Sequence, residues 1–555
     1  MKDFSKEIKA YALRNAIEYG KTDAGNVLSK LFQHGLDKKD IKNVMPEIVK
    51  IVNEISKLSK VEQKKEFEKY KNLVVVHEEK EKGLPEIDVS GLNNVVTRLA
   101  PEPSKYNHLG HGLSFLLNYL YSKKYNGRCL LRFEDTNPEK VSQEYVDAMK
   151  EDVLDYLDIK LDGIRYVSDD MDMLYKNAEK LIKMGKAYMC FCEREKMQDF
   201  RHKGIECGCR GKNTDKNIEE WTLFLKGKYK DGEAVLRIKG DMKSQNHVMR
   251  DSVIFRSLDF KHYRTGTKYK VWPMYDFYNP IEDSIMGVTL ILRSNEFDMR
   301  VELQEYIKDL LELKKQQIVQ YGRFNVVDFT TKGREIRELV DSGKLIGWDD
   351  PRLITLRALK RRGIQKEAIY ELVKEIGLKK SQVNLEFNMI AAINRKLIDP
   401  IANRYSFVEN PIELKIKGNP EIKEVEVQIH PNKKETRKIK IGEKLFISKK
   451  DFEQLKGKEV RLIHLYNFEL GERVVKSVVN GIWTSSDNKP IQKINWVSSG
   501  VSVKILMDNG KWIEGIAESA VQDLKEGEMI QFERFGFCRL DRKNKGNLEF
   551  WFAHK

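Results

Sequence analysis

The sequence predicts a multidomain α/β protein. At its centre is a doubly wound nucleotide-binding sheet, split by an insertion and set between N-terminal helices and C-terminal β-barrels. Three observations predict it. Residues 93–100 read as a buried strand, Leu113, Leu116, Leu117 and Leu120 as one face of a helix, and residues 128–133 as a second strand, which together open such a sheet. Sheet-like sequence returns at residues 270–272 and 287–292, after a mixed region of different character. Beyond Pro411, alternating stretches such as 458–463 and 501–506, separated by Gly and Asn turns, read as one or two small barrels. At 555 residues the chain exceeds what one hydrophobic core can hold.

In order, residues 1–92 form a helical appendage and linker. Ile8, Tyr11 and Ala12, then Ile41, Val44, Ile48, Ile51, Val52, Ile55 and Leu58, recur at helical spacing, and Gly35 closes one helix. The charged run 78–82, broken by Gly83 and Pro85, is the linker. Residues 93–165 give the first half of the nucleotide-binding sheet, 166–269 the insertion and 270–325 the second half. Residues 326–405 are a loop and an Arg- and Lys-rich helical connector, and 406–555 the barrels.

With 41% hydrophobic and 33% charged residues the chain reads as soluble and globular; no apolar run is long enough to cross a bilayer, and no secretory apolar core follows the first residues. The expected compartment is the cytoplasm. A net charge of +15 favours a polyanionic partner, although ordinary solubility explains it equally well. Six cysteines are too few for a disulfide framework of this length. Four of them, Cys190, Cys192, Cys207 and Cys209, form two C-x-C pairs fourteen residues apart, a donor set suited to a closed, structural zinc site. Four free or redox-active thiols are the alternative.

The richest stretch is His108-Leu109-Gly110-His111, set between strand and helix. Two imidazoles at a helix N-terminus can donate hydrogen bonds to the phosphates of ATP, the helix dipole adds to the effect, and Gly110 permits close approach. A histidine pair three apart is also a metal-binding or structural spacing.

Residues 95–138 resemble class I aminoacyl-tRNA synthetases of the glutamyl/glutaminyl group. Their HIGH motif corresponds to Pro101-Glu102-Pro103 running into His108-Leu109-Gly110-His111, and Leu131-Arg132-Phe133-Glu134-Asp135-Thr136-Asn137-Pro138 matches a further block. The resemblance continues through residues 347–352, 391–396 and 531–537 to the end of the chain. The N-terminal helices and β-rich tail are similar to those of the archaeal type. It implies a Rossmann-type catalytic domain with an inserted domain gripping the acceptor end of tRNA, and barrels that bind the anticodon. Unpaired bases there would be read by edge hydrogen bonds and stacking.

The resemblance also implies roles. Glu102, Pro103, Ser104, His108, Gly110, His111, Arg323 and Phe324 correspond to the ATP site. Arg98, Glu134, Tyr275, Asn279 and Arg293 correspond to the amino-acid pocket, with Glu134 pairing the α-ammonium. Arg293 is the deciding position: glutaminyl enzymes have a small neutral residue there. A guanidinium pairs a carboxylate through two charge-assisted bonds but faces an amide NH₂ with a donor. Glutamate is therefore the expected amino acid, although a surface ion pair with Glu296 is the plain alternative for Arg293.

The second catalytic motif, KMSKS, is poorly preserved. After Tyr321-Gly322-Arg323-Phe324-Asn325 the chain reads Phe329-Thr330-Thr331-Lys332-Gly333-Arg334, making Lys332 the candidate for stabilising pyrophosphate, with Arg334 as substitute. The resemblance implies activation of L-glutamate by ATP with Mg²⁺, in the presence of tRNA, and transfer to the terminal 2′-hydroxyl of tRNA(Glu). A structural Zn²⁺ and a monomer are expected, with the N-terminal helices as the surface for protein partners. The rival readings are a glutaminyl enzyme of the same fold, a tRNA-binding paralogue impaired in catalysis, and a relative that modifies a tRNA base, which would lack the long tail.

Overall fold

The strands Val96–Leu99, Arg128–Phe133 and Gly163–Tyr166 run parallel as neighbours in a computed structural model that describes all residues except 1–2, 20–21, 38–39, 75–82 and 545. Leu290–Ser294 and Gln317–Tyr321 form a second parallel pair. The two groups meet where the Thr289 N–H donates to the Val96 carbonyl at 3.0 Å and the Val96 N–H donates to Thr289 Oγ1 at 2.8 Å. Strand order therefore reverses between Val96–Leu99 and Leu290–Ser294, and a ligand crevice is expected outside the carboxyl ends of the strands at such a switch point. The helix Leu109–Lys124 lies against the sheet through Leu113, Leu116, Leu117 and Tyr121, while Leu120 is only partly buried.

Two compact units make up the chain, Met1–Gly83 and Leu84–Lys555. In the first, the helices Ser5–Tyr19, Ala24–Leu31, Ile41–Ser56 and Lys60–Phe67 enclose a core that includes Ile8, Leu13, Val27, Leu31 and Ile48. Gly35 stops a helical turn at φ 90°. Of the linker expected at 78–85, residues 78–82 lie outside the described residues.

The insertion contains a four-stranded antiparallel sheet: Ala187–Cys190, Val235–Ile238, Val253–Ser257 and Val271–Pro273. This corrects the boundary expected at residue 270. Val271–Pro273 pairs with Val253–Ser257 and closes the inserted sheet, and the parallel sheet resumes only at Leu290. A short apolar run has the same appearance in either sheet, so sequence pattern could not separate them. The inserted core, with Leu181, Trp221, Leu236 and Phe255, continues into the helices Tyr275–Ile285 and Val301–Leu311 through Phe277, Ile281, Leu303 and Ile307.

The connector holds the helices Gly333–Asp341, Leu356–Arg362, Lys366–Ile376 and Phe387–Ile398. It also lends a strand, Val383–Leu385, that pairs in parallel with Phe324–Val326. Beyond it are two sheets, one of seven strands and one of six, each around its own core. The first begins with Asn403–Tyr405, slightly before the expected boundary at 406. The buried Arg362 anchors the connector to it, donating to the Ala553 carbonyl at 2.7 Å. No helix among the described residues is long and apolar enough to cross a membrane.

Candidate active site

A cavity of about 600 Å³ opens at the carboxyl ends of Val96–Leu99 and Leu290–Ser294, lined among others by Arg98, Glu134, Arg293, His108, His111, Lys105 and Arg323. His108 is the N-cap of the helix Leu109–Lys124. Its Nδ1 accepts from the Gly110 N–H at 3.1 Å, and its own N–H donates to His111 Nδ1 at 3.2 Å. An imidazole whose Nδ1 accepts carries its proton on Nε2. Both rings are thus fixed as neutral Nε2–H donors, stacked with centroids 3.9 Å apart. Burial, with Lys105 and Arg323 alongside, pulls His108 down to about 3; burial and His108 likewise hold His111 well below the ordinary range. At neutral pH they are donors, not acids. Gly110 serves this arrangement directly, since a Cβ there would lie 3.0 Å from the His108 ring.

The deep end is cationic. Arg98 and Arg132 both bind Asp283 Oδ1, at 3.0 and 2.6 Å, and Arg132 also donates to Glu134 at 2.8 Å and to Asn279 Oδ1 at 2.7 Å. Burial alone would raise Asp283, but the two guanidiniums hold it below the usual carboxylate range. Burial pushes Glu134 upward against the opposing pull of Arg132. Arg293, 5% exposed, spends one Nη1–H on Gln304 at 2.8 Å. Its Nε–H and Nη2–H are buried and have no partner among the described residues. These two groups form the edge of the guanidinium that binds a carboxylate in bidentate fashion, and leaving them buried and unpaired costs roughly 1–3 kcal/mol each. Glu296 pairs instead with Arg323 at 3.0 Å, so the ion pair considered for Arg293 is not made.

Glu102, Ser104, Gly110, Phe324 and Tyr275 also line the cavity, as expected, but four of the expected site residues do not. Pro103 is buried and its carbonyl accepts from the Ser142 N–H. Asn279 stands behind the wall, between Arg132 and Gln304. Lys332 and Arg334 are turned outward, 77% and 89% exposed, and pair at 2.8 and 2.9 Å with Glu335 and Glu338. They occupy the first turn of the helix Gly333–Asp341 and its N-cap, where acids three and four residues on draw them along the helix surface. The cations that do line this end are Arg323, paired with Glu296, and Lys105, which burial pulls below the ordinary lysine range despite Glu102. Sequence reasoning missed Lys105, although a lysine three residues before His108 was a visible signal. It also missed Asp283 and Gln304, which carry no local pattern.

In the insertion, the four sulfurs of Cys190, Cys192, Cys207 and Cys209 lie within 4.8 Å of one another. The Cys190 and Cys207 sulfurs are 3.9 Å apart, close to the roughly 3.8 Å that tetrahedral Zn–S bonds of about 2.3 Å require. Arg237 donates to Cys207 at 3.4 Å, a cation suited to supporting thiolates. The donor set fits zinc.

A crevice at a sheet switch point thus holds neutral imidazole donors at one end and a buried guanidinium with two unpaired N–H groups at the other, an arrangement able to receive a phosphate and a carboxylate side by side. The family model for the catalytic domain of tRNA synthetases class I (E and Q) matches residues 94–400, and models of the anti-codon binding domain of the same enzymes match 402–487 and 493–541. The chain belongs to this family of class I tRNA synthetases. Curated relatives are named glutamate–tRNA ligase. That of Pyrococcus abyssi is 39% identical over 98% of both chains, and those of Pyrococcus horikoshii and Nitrosopumilus maritimus are each 38% identical over the full length of both.

Proposed function

We propose that the protein is a glutamate–tRNA ligase that activates L-glutamate with ATP and transfers it to the 3′ end of tRNA(Glu). The observation that carries the substrate is Arg293, whose two unpartnered N–H groups suit the γ-carboxylate and would oppose the NH₂ of glutamine. Glu134 supplies the counter-charge for the α-ammonium. The α-carboxylate then attacks the α-phosphorus in line. No proton needs to move in this step, which agrees with histidines held as neutral donors. His108 and His111 stabilise charge on the phosphate oxygens as the transition state forms. Mg²⁺ bound with ATP would supply counter-charge to its phosphates beside Lys105 and Arg323. Cys190, Cys192, Cys207 and Cys209 would hold a structural zinc that fixes the loops of the insertion. The two barrels are the candidate anticodon-binding region, in accord with the family models.

Aminoacylation of purified glutamate and glutamine tRNAs, with each amino acid in turn, tests the reading. Charging of tRNA(Glu) with glutamate and not glutamine is the expected result. Preferential charging with glutamine would overturn it, and tRNA binding without any charging would favour an impaired paralogue.

A further inference from the structure

We propose that Lys105, on the loop leading to His108, is the cation that takes up the charge of the departing pyrophosphate, in place of the lysine of the KMSKS-like loop; this rests on the adenylate-forming reading above. Lys105 stands between the strand Val96–Leu99 and the helix of the two histidines and lines the cavity. Its Nζ donates to the carbonyl of Thr331 at 3.3 Å, so its side chain reaches from one wall of the phosphate end to the other.

Gly333 shows how the two loops share this space. A Cβ built there would lie 3.0 Å from Lys105 Cβ and 3.2 Å from its Cδ. The stem of Lys105 therefore fills the room that a side chain at the centre of Lys332-Gly333-Arg334 would need. The flanking cations face solvent and are bound to Glu335 and Glu338. Lys105 also lies close enough to His108 for its charge to help depress that imidazole, which places the ammonium within electrostatic reach of the same phosphates.

The chemistry requires a charge there. A carboxylate oxygen of glutamate forms a bond to the α-phosphorus while the bond from that phosphorus to the α,β-bridging oxygen breaks. The bonding pair stays on pyrophosphate, which gains negative charge as it leaves, and no proton is transferred. A compact ammonium beside the β- and γ-phosphates lowers the energy of that state more than that of bound ATP.

Tethering Thr331 is the plainer role for Lys105, and Lys105→Gln separates the two because glutamine keeps an N–H donor and loses the charge. In full-length protein, glutamate- and tRNA-dependent ATP–pyrophosphate exchange is expected to fall about 10²-fold in Lys105→Gln, with KM for glutamate unchanged, and to be nearly unaffected in Lys332→Ala. Exchange preserved in Lys105→Gln, or lost equally in Lys332→Ala, would overturn the proposal. Calorimetric titration with magnesium pyrophosphate gives a readout independent of turnover. Affinity is expected to drop about tenfold in Lys105→Gln. Unchanged affinity overturns the role of Lys105 whether or not the wild type exchanges, whereas absence of wild-type exchange counts against the adenylate-forming reading instead.

Discussion

The two ends of the cavity are built by opposite means. At the amino-acid end, Arg98, Arg132, Asp283 and Arg293 stand on strands and a helix, are buried, and fix one another through ion pairs and Gln304. At the phosphate end the charges that line the cavity, Lys105 and Arg323, are carried on loops from both halves of the domain, and Arg323 is largely solvent-facing. Telling a carboxylate from an amide depends on donors that cannot reorient. Releasing a product as highly charged as pyrophosphate is compatible with charges on segments able to move. On the proposed function, selectivity belongs to the buried end and turnover to the open one.

The largest effect that would sharpen this contrast is at Arg293. Arg293→Ala is expected to lower kcat/KM for glutamate about 10³-fold while leaving KM for ATP near that of the wild type. A loss under tenfold in steady-state charging would remove the buried end from substrate selection. Next, Asp283→Ala strands two buried guanidiniums and should destabilise the fold by about 3–5 kcal/mol in urea unfolding. A stability near wild type would mean that the ion pairs do not hold the pocket in shape. Outside the cavity, elemental analysis should find one zinc per chain, and Cys209→Ser should lower both zinc content and the thermal midpoint of the insertion. Zinc retained in that variant would break the four-thiolate reading.

A smaller effect comes from His108. Burial holds it at about 3 in the fold, whereas an unfolded imidazole titrates near 6.5. The native state refuses a proton that the unfolded chain accepts, so stability is unaffected above pH 7. It declines as pH falls from 6.5 toward 3, by at most about 1.4 kcal/mol per unit. Nitrogen NMR should show Nε2–H and a bare Nδ1 throughout pH 5–8, and a His108 resonance titrating near 6.5 would contradict the neutral-donor assignment. Smallest of all, Arg334→Ala should change the rate of charging by less than about twofold, as befits an exposed ion pair.

What was legible in the sequence was what lies close together along the chain. The imidazole pair at a helix start and the two C-x-C loops were visible because a few residues define their geometry. Arg293 was found by resemblance and not by pattern. Asp283 was invisible because its partners Arg98 and Arg132 lie 185 and 151 residues away. The outward turn of Lys332 and Arg334 was readable in principle, since Glu335 and Glu338 follow them at helical spacing. Resemblance to a motif outweighed that local signal. Val271–Pro273 was assigned to the wrong sheet because buried strands of either kind share one apolar pattern.

The bond between Val96 and Thr289 joins residues 193 positions apart and sets an order of assembly. Closing so long a loop in a disordered chain is slow and entropically costly. The insertion within that loop packs around a core that it shares with the helices Tyr275–Ile285 and Val301–Leu311, so its folding shortens the effective loop between the two edges of the parallel sheet. Completion of the crevice is therefore expected to depend on the inserted sheet, and lesions there, remote from any reacting atom, are expected to slow refolding of the parallel sheet in stopped-flow measurements.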